Sequence, residues 1–334
     1  MMTTYKQRVV YVLMWCFFCT ALALGLMEAN SIARFSGASL RFYVPITGQA
    51  AYRARQYSAA NPEAFWPTFW HHDRITLSNG INTVDASSIL FSGDAALVWP
   101  AEYIVGSAPS SIDGAGIVVS QAIAHRLFGS TDIVGMSVYA NNQPRFVRGV
   151  FNSSAEMVLI PFHIEDTSQY WTAVELSGGV PSPARNDAKS FAALSGIGRP
   201  DYVIMGGAMA ASRFMAVFPL FIPVVYVVAL FVRFIRRYYA AAGVPILFAG
   251  LILFAIALPI LLNGLPPWLI PTHWSDFTFW SSLSTQATDA LREFLSAPSM
   301  MRDVELKIHL LRQAGFMVVA ICFGIVVCFI EPTS

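Results

Sequence analysis

The sequence predicts an α-helical membrane protein with four transmembrane helices and an α+β extracytoplasmic domain inserted between helices 1 and 2. Three observations predict it. Hydrophobic residues fill 55% of the 334 positions and charged residues only 12%, against about 25% charged in average soluble chains. Four stretches carry no charge and approach the roughly 20 residues needed to cross hydrocarbon as a helix. One polar block of domain size separates the first stretch from the other three. A backbone in lipid has to satisfy its own hydrogen bonds, so each apolar stretch is read as a helix.

The chain divides accordingly. Residues 1–8 form an N-terminal segment and 9–27 the first span, with the apolar run Val9 to Met27. Residues 28–212 form the polar domain. Residues 213–232 form the second span, 233–242 a short link, and 243–262 the third span. Residues 263–313 form a loop with amphipathic helices, 314–330 the fourth span, and 331–334 the C-terminal segment. Lys6 and Arg8 precede the first span, and Arg233, Arg236 and Arg237 lie in the link. The positive-inside rule puts both on the cytoplasmic side, so both termini are expected inside the cell and the large domain outside. Trp268, Trp274 and Trp280 follow the third span as an interfacial belt would. The first run also has the basic start and apolar core of a signal peptide, but its core is long and Gly25-Leu26-Met27-Glu28-Ala29 offers no clear small-residue cleavage site. An uncleaved anchor is the expected reading.

Within the polar domain, the start is irregular and rich in Ser, Ala and Arg. A strand pattern runs from near Phe69 to Leu77, Asn79-Gly80 reads as a tight hairpin turn, and a second strand covers about Ile81 to Phe91. Ile117 to Val119 form a short buried strand, and Ser120 caps the helix that follows. Ala122, Ile123, Leu127 and Phe128 share one face of that helix, and Gly129 ends it. Gly135 bends the chain into a strand at Met136 to Ala140. Asn141-Asn142-Gln143 turns it, and Pro144 to Phe151 returns as the partner strand.

That stretch, VVSQAIAHRLFGSTDIVGMSVYANNQPRFVRGVF, resembles the end of the periplasmic core domain of MacB-like transporter permeases. The matching positions are Ala124, Arg126, Leu127, Phe128, Gly129, Asp132, Val134, Gly135, Val147, Gly149 and Val150. The family's topology, one span, a large outer domain and three further spans, agrees with the division above. The resemblance implies a permease of the MacB and FtsX kind. Its outer domain would move when a separate cytoplasmic ATPase pair closes on ATP. It also implies a homo- or heterodimer of permease subunits in contact with membrane lipids.

The chain departs from that family in three ways. It has only three lysines, Lys6, Lys189 and Lys307, none preceded by Gly, so no P-loop is present and ATP would be bound by a partner subunit. The link RFIRRYYAAAG holds Arg233, Arg236 and Arg237 but no acidic residue, so it is a reduced form of the family's coupling helix. The three arginines read first as positive-inside anchors and second as a shortened ATPase contact. The loop after the third span is long. Pro266, Pro267 and Pro271 keep its start irregular, and helices are expected at Thr285 to Leu295 and Ser299 to Gln313. Val304, Ile308, Leu311 and Ala314 form a stripe on the second of these, which could lie on the membrane surface, extend the fourth span outward as a stalk or pack beneath the outer domain, with packing the expected reading.

No catalytic constellation is expected. His71 and His72 are adjacent, and adjacent strand residues point to opposite faces, so they would not share a metal. Glu102, Asp113 and Asp132 have no paired-carboxylate spacing, and Ser120 lies in no nucleophile elbow. Cys16 and Cys19 fall inside the first span and read as apolar packing. A net charge of +1 offers no nucleic-acid footprint. The apolar runs Val9 to Met27, Phe214 to Val232, Gly243 to Leu262 and Gly315 to Ile330 hold no charged residue, which disfavours an ion-coupled transporter. The alternative to a driven permease is a membrane-anchored binding or scaffold protein that has lost ATPase coupling.

Overall fold

The computed structural model describes residues 2–35, 37–110, 113–178, 185–204 and 294–329, with scattered positions between 211 and 226 and between 281 and 292. The chain forms two compact units. One comprises Met1–Ala33, Gly207–Leu291 and Glu305–Ser334, and the other Arg34–Gly206 with Arg292–Val304.

The second unit is an α+β domain. Its strands are β1 (Ala38–Thr47), β2 (Trp66–Ser78), β3 (Thr83–Ser92), β4 (Tyr103–Gly106), β5 (Gly116–Ser120), β6 (Ser137–Ala140), β7 (Gln143–Phe151), β8 (Met157–Pro161), β9 (Tyr170–Ser177) and β10 (Tyr202–Ile204). Among the described residues they form one mixed sheet in the order β10-β1-β9-β2-β3-β8-β5-β7-β4, with β6 pairing both β2 and β7. β3 runs parallel to β8 and β5 parallel to β7, while the other pairings are antiparallel.

Strand alternation sorts the core into two faces. Leu40, Phe69, Trp171 and Val174 bury against the helices α2 (Gly48–Ala60) and α5 (Arg185–Leu194). Farther along the same sheet, Leu77, Ile117, Val119, Val147 and Val158 bury with Ile123 and Leu127 of α4 (Gln121–Phe128). The opposite face holds Trp70, Ile89, Phe91, Val118 and Phe151, with the short helix α3 (Ala95–Val98) and with Met300 and Met301.

The expected irregular start of this domain is corrected by the structure: it holds β1 and α2. In β1, Arg41 interrupts the apolar run, and the pairing with β9 shifts register between Arg41 and Ile46, around Pro45. A proline removes a ladder hydrogen bond, so the strand reads poorly in sequence. Thr47 caps α2 by accepting from the Ala50 N–H at 3.3 Å, and the small residues Ala50, Ala51 and Ala54 let the helix lie against the sheet.

The Asn79-Gly80 hairpin is also corrected in detail. The strands end at Ser78 and Thr83, so the turn spans four residues, and Gly80 alone among them has positive φ. Asn79 holds it together. Its Oδ1 accepts from the N–H groups of Ile81 at 2.9 Å and Asn82 at 2.7 Å, and its Nδ2 donates to the Leu127 carbonyl at 2.6 Å. Asn82 Nδ2 donates to the same carbonyl at 3.1 Å. That carbonyl belongs to the last turn of α4, where intrahelical partners are missing. Asn79→Ala is therefore expected to destabilise the domain by about 1–2 kcal/mol, and chemical denaturation followed by tryptophan fluorescence would check it. The tight two-residue hairpin lies instead at Asn141-Asn142, with φ 46° and 67°, between Ala140 and its partner Gln143.

The first unit is helical. It holds α1 (Met2–Ala33) and all but the first turn of α6 (Met301–Phe329). The two helices lie antiparallel. Glu28 meets His309 at 2.6 Å, Gly25 faces Met317, Phe18 and Ala21 pack with Ala320, and Phe17 stacks on Phe323 at 5.3 Å. From the second predicted span, Tyr226 joins them: its hydroxyl lies 2.8 Å from that of Tyr11 and its ring 6.1 Å from Trp15. Gln313 donates to the Ser212 carbonyl at 2.8 Å.

Among the described residues two helical stretches are long and apolar enough to cross a membrane, Val9–Ala33 and Met301–Val327. They flank the α+β domain in sequence, where the sequence reading expected four spans. Nearly all of the second predicted span, all of the third and the link between them lie outside the described residues. In their most apolar windows only 17% of the first stretch and 28% of the second is buried. Val12, Phe17, Met27, Val318 and Ile325 are exposed. A core helix of a soluble protein buries such side chains, whereas a helix in contact with lipid exposes them. α6 also joins the expected amphipathic segment and the fourth predicted span into one helix. The stripe residues Val304, Ile308 and Leu311 are exposed on it rather than packed.

Candidate functional site

The most unusual chemistry in the α+β domain is a buried group of four charges on the face opposite α2. Ser39 and Arg41 are two apart on β1 and share a face, and Ser39 lies directly across the ladder from Glu175 of β9. Thr68 of β2 lies across from Glu175 on its other side, and Trp70 is two residues further along the same face. Arg302 and Asp303, at the start of α6, complete the group. Arg41, Glu175, Arg302 and Asp303 are all buried, none more than 3% exposed.

The contacts are specific. Arg41 Nη1 donates to Glu175 Oε1 at 3.0 Å and to the Ser39 hydroxyl, and Arg41 Nη2 donates to Asp303 Oδ1 at 2.9 Å. Ser39 Oγ donates to Glu175 Oε1 at 2.6 Å, and Trp70 Nε1 donates to the same oxygen at 3.0 Å. Arg302 Nη1 lies 3.3 Å from Glu175 Oε2, while its Nη2 donates to the Phe35 carbonyl at 3.4 Å. The Arg41 guanidinium also sits over the Trp70 ring, 4.8 Å from its centre. Two positive and two negative charges thus close on one another with no net charge.

The electrostatics follow from this closure. Burial alone would raise the Glu175 carboxyl, but the charges of Arg302 and Arg41 and the Ser39 hydroxyl outweigh it and hold the group below the usual carboxylate range. Burial alone would lower Arg41, but Asp303 and Glu175 outweigh it and hold the guanidinium above its ordinary value. A guanidinium is basic enough to stay charged throughout.

The resemblance-bearing segment forms a second candidate surface. Ser120 Oγ accepts from the Ile123 N–H at 3.4 Å, as a cap should, and also from the Met157 N–H at 3.2 Å. Gly129 closes α4 in the left-handed region at φ 73°. Arg126 pairs with Glu156. The structure therefore lays out residues 118–151 as strand, capped helix and hairpin, in the expected order.

The other residues singled out from sequence are dispersed. His71 is buried, stacked on Tyr170 at 4.7 Å, and held below the usual histidine range by burial, while His72 is exposed on the opposite face. Glu102 pairs with Arg34 and Asp113 with Arg148, each at 2.5 Å. Cys16 and Cys19 are exposed on α1. Arg233, Arg236 and Arg237 lie outside the described residues. Among the described residues no group of three or more His, Cys, Asp and Glu side chains is arranged to hold a metal ion. Sequence reasoning missed the charge group entirely. Its signal was a charged residue inside each of two apolar strand runs, Arg41 in ASLRFYV and Glu175 in WTAVELS.

Solved structures resemble part of this chain. The α+β domain is similar in structure to the periplasmic region of MacB. The match to that region from Actinobacillus actinomycetemcomitans has 12% identity and a TM-score of 0.40, covering 48% of this chain and 84% of the other. The extracellular domain of the noncanonic ABC-type transporter YknZ from Gram-positive bacteria matches at 16% identity and TM-score 0.40, covering 47% of this chain and 91% of that domain. A permease-protein domain from Porphyromonas gingivalis matches at 14% identity and TM-score 0.33, covering 47% and 82%. At such identities the likeness concerns fold alone. No family model and no curated protein matches the chain.

Proposed function

We propose that this chain is a permease-like membrane subunit of an ABC-type transport or mechanotransmission system of the MacB and FtsX kind, driven by a separate ATPase. In this reading four helices cross the cell membrane, both termini are cytoplasmic, and the α+β domain lies outside. The observation that carries it is the segment 118–151, whose residues resemble that family and which folds as strand, capped helix and hairpin within a polar domain flanked by uncovered apolar helices. The lack of any P-loop lysine calls for a partner that binds ATP. Such a subunit does no bond chemistry of its own. It acts by moving the outer domain, as homo- or heterodimer.

Arg233, Arg236 and Arg237 are the residues through which the ATPase would be felt. The test is purification of the chain from its native membrane in mild detergent, with and without a non-hydrolysable ATP analogue. An ATPase subunit is expected to copurify, and Arg233→Ala, Arg236→Ala and Arg237→Ala together are expected to release it while membrane insertion is unchanged. If no ATPase associates under either condition, the driven permease is wrong. The reading would then be an anchored binding or scaffold protein, which the lack of an acidic residue in the link favours.

A further inference from the structure

We propose that residues 300–304 are an ionic strap, and that Arg41 and Glu175 form its seat: the charge group exists to fix the start of α6 in one register on the sheet. The seat and its occupant belong to the same compact unit, although the strap is reached only after the chain has passed through residues 207–291.

Three observations carry this. Asp303 serves two structures with one carboxylate. Its Oδ1 accepts from Arg41, while its Oδ2 accepts from the Met300 N–H at 3.2 Å. That second bond is one half of a capping box, in which the third residue of a helix reaches back to the N–H of the residue before it. The start of α6 and the ion pair to β1 therefore form or fail together. Arg302 likewise reaches two places, Glu175 on β9 and the carbonyl of Phe35, which follows the end of α1 by two residues. Met300 and Met301 supply the apolar remainder by packing beside Trp70, Phe91 and Phe151.

Charge is a poor way to gain stability here, because apolar residues of the same size would hold a buried contact as well or better. Charge is a good way to specify position. Shifting a helix by one residue turns its side chains by about 100° and moves them by about 1.5 Å. No other register of α6 would then place Arg302 on Glu175 and Asp303 on Arg41 at once, and each misplacement would leave buried charges uncompensated. Methionines alone would slide. With the ionic group the helix start is held where the sheet holds Arg41 and Glu175. All the contacts of the strap lie within the α+β unit, and it does not depend on the permease reading.

Hydrogen exchange of the full-length chain in lipid nanodiscs tests it without any ATPase. In the native chain the amides of residues 300–306 are expected to be protected. Asp303→Ala is expected to speed their exchange by roughly tenfold or more, while amides of β1 and β9 around Arg41 and Glu175 change by less than about threefold. Asp303→Asn keeps the shape and the capping acceptor, and is expected to fall between. Unchanged exchange at 300–306 in both variants would overturn the strap. So would equal acceleration of strap, β1 and β9, since these residues would then be ordinary core. If Asp303→Ala yields no folded protein, the same two criteria are read on Asp303→Asn.

Discussion

Replacing Glu175 by alanine is expected to destabilise the α+β domain by about 3–5 kcal/mol, the usual cost of breaking a buried ion pair by removing one partner. The carboxylate accepts from Ser39, Arg41 and Trp70 on one oxygen, and the Arg302 guanidinium faces the other as an ion pair at 3.3 Å. Without it two buried guanidinium groups share only Asp303, and the Trp70 N–H loses its acceptor. Chemical denaturation followed by Trp70 and Trp171 fluorescence would measure the loss, and a change below about 1 kcal/mol would mean the group is hydrated rather than closed. The effect has a pH signature. Folding holds the Glu175 carboxyl below its ordinary value of 4.5, so its contribution is complete above that pH and is lost as pH falls through the lower, folded value. The stability gap between the native chain and Glu175→Gln is therefore expected to be widest near neutral pH and to shrink steadily on acidification.

Trp171→Ala is expected to cost a similar amount, about 3–5 kcal/mol, for a different reason. Trp171 is 1% exposed and packs between Phe69, 6.4 Å away, and His71, 5.6 Å away, opposite Ile46 on β1. Truncation leaves a cavity where the central strand β9 meets its neighbours. Little can collapse into it, because β1 and β2 are held on either side by their ladders. Trp171 also helps bury His71, which burial holds below the usual histidine range, so this loss is expected to vary with pH near that range, whereas the Glu175 loss varies below 4.5. Measuring both variants across pH would separate cavity from charge.

Local signals made one part of the domain legible. Between Gly116 and Phe151 each element is bounded by a residue whose role is local: Ser120 as cap, Gly129 and Gly135 at positive φ, Asn141 and Asn142 in a two-residue turn. The apolar positions there repeat at two or at three to four residues, and the structure follows them. The first third of the domain was less legible. Between Arg34 and Ala60 the apolar pattern is broken by Arg41 and Pro45, and α2 buries alanines rather than large side chains. The Asn79-Gly80 pair shows a further limit. It marked a hairpin correctly, but the Leu127 carbonyl, 48 positions away, draws the Asn79 side chain and stretches the turn to four residues.

Charge-free stretches of membrane length around a polar domain, and the lack of a P-loop lysine, can be read from the residues in order. Those properties are sums over neighbouring residues: hydropathy along a window, turn chemistry at a site, the presence or absence of a lysine after glycine. That Arg41, Glu175, Arg302 and Asp303 meet is visible only in the folded chain. They are separated by as many as 262 positions, and each alone reads as a surface charge or a strand defect. Their meaning depends on burial, since at the surface such pairs contribute little, and out of water each charge needs the others. In sequence the apolar stretches read as anchors. The helix that carries the last of them starts earlier, and its first turn, residues 301–304, belongs to the α+β unit and is held to the sheet by charge.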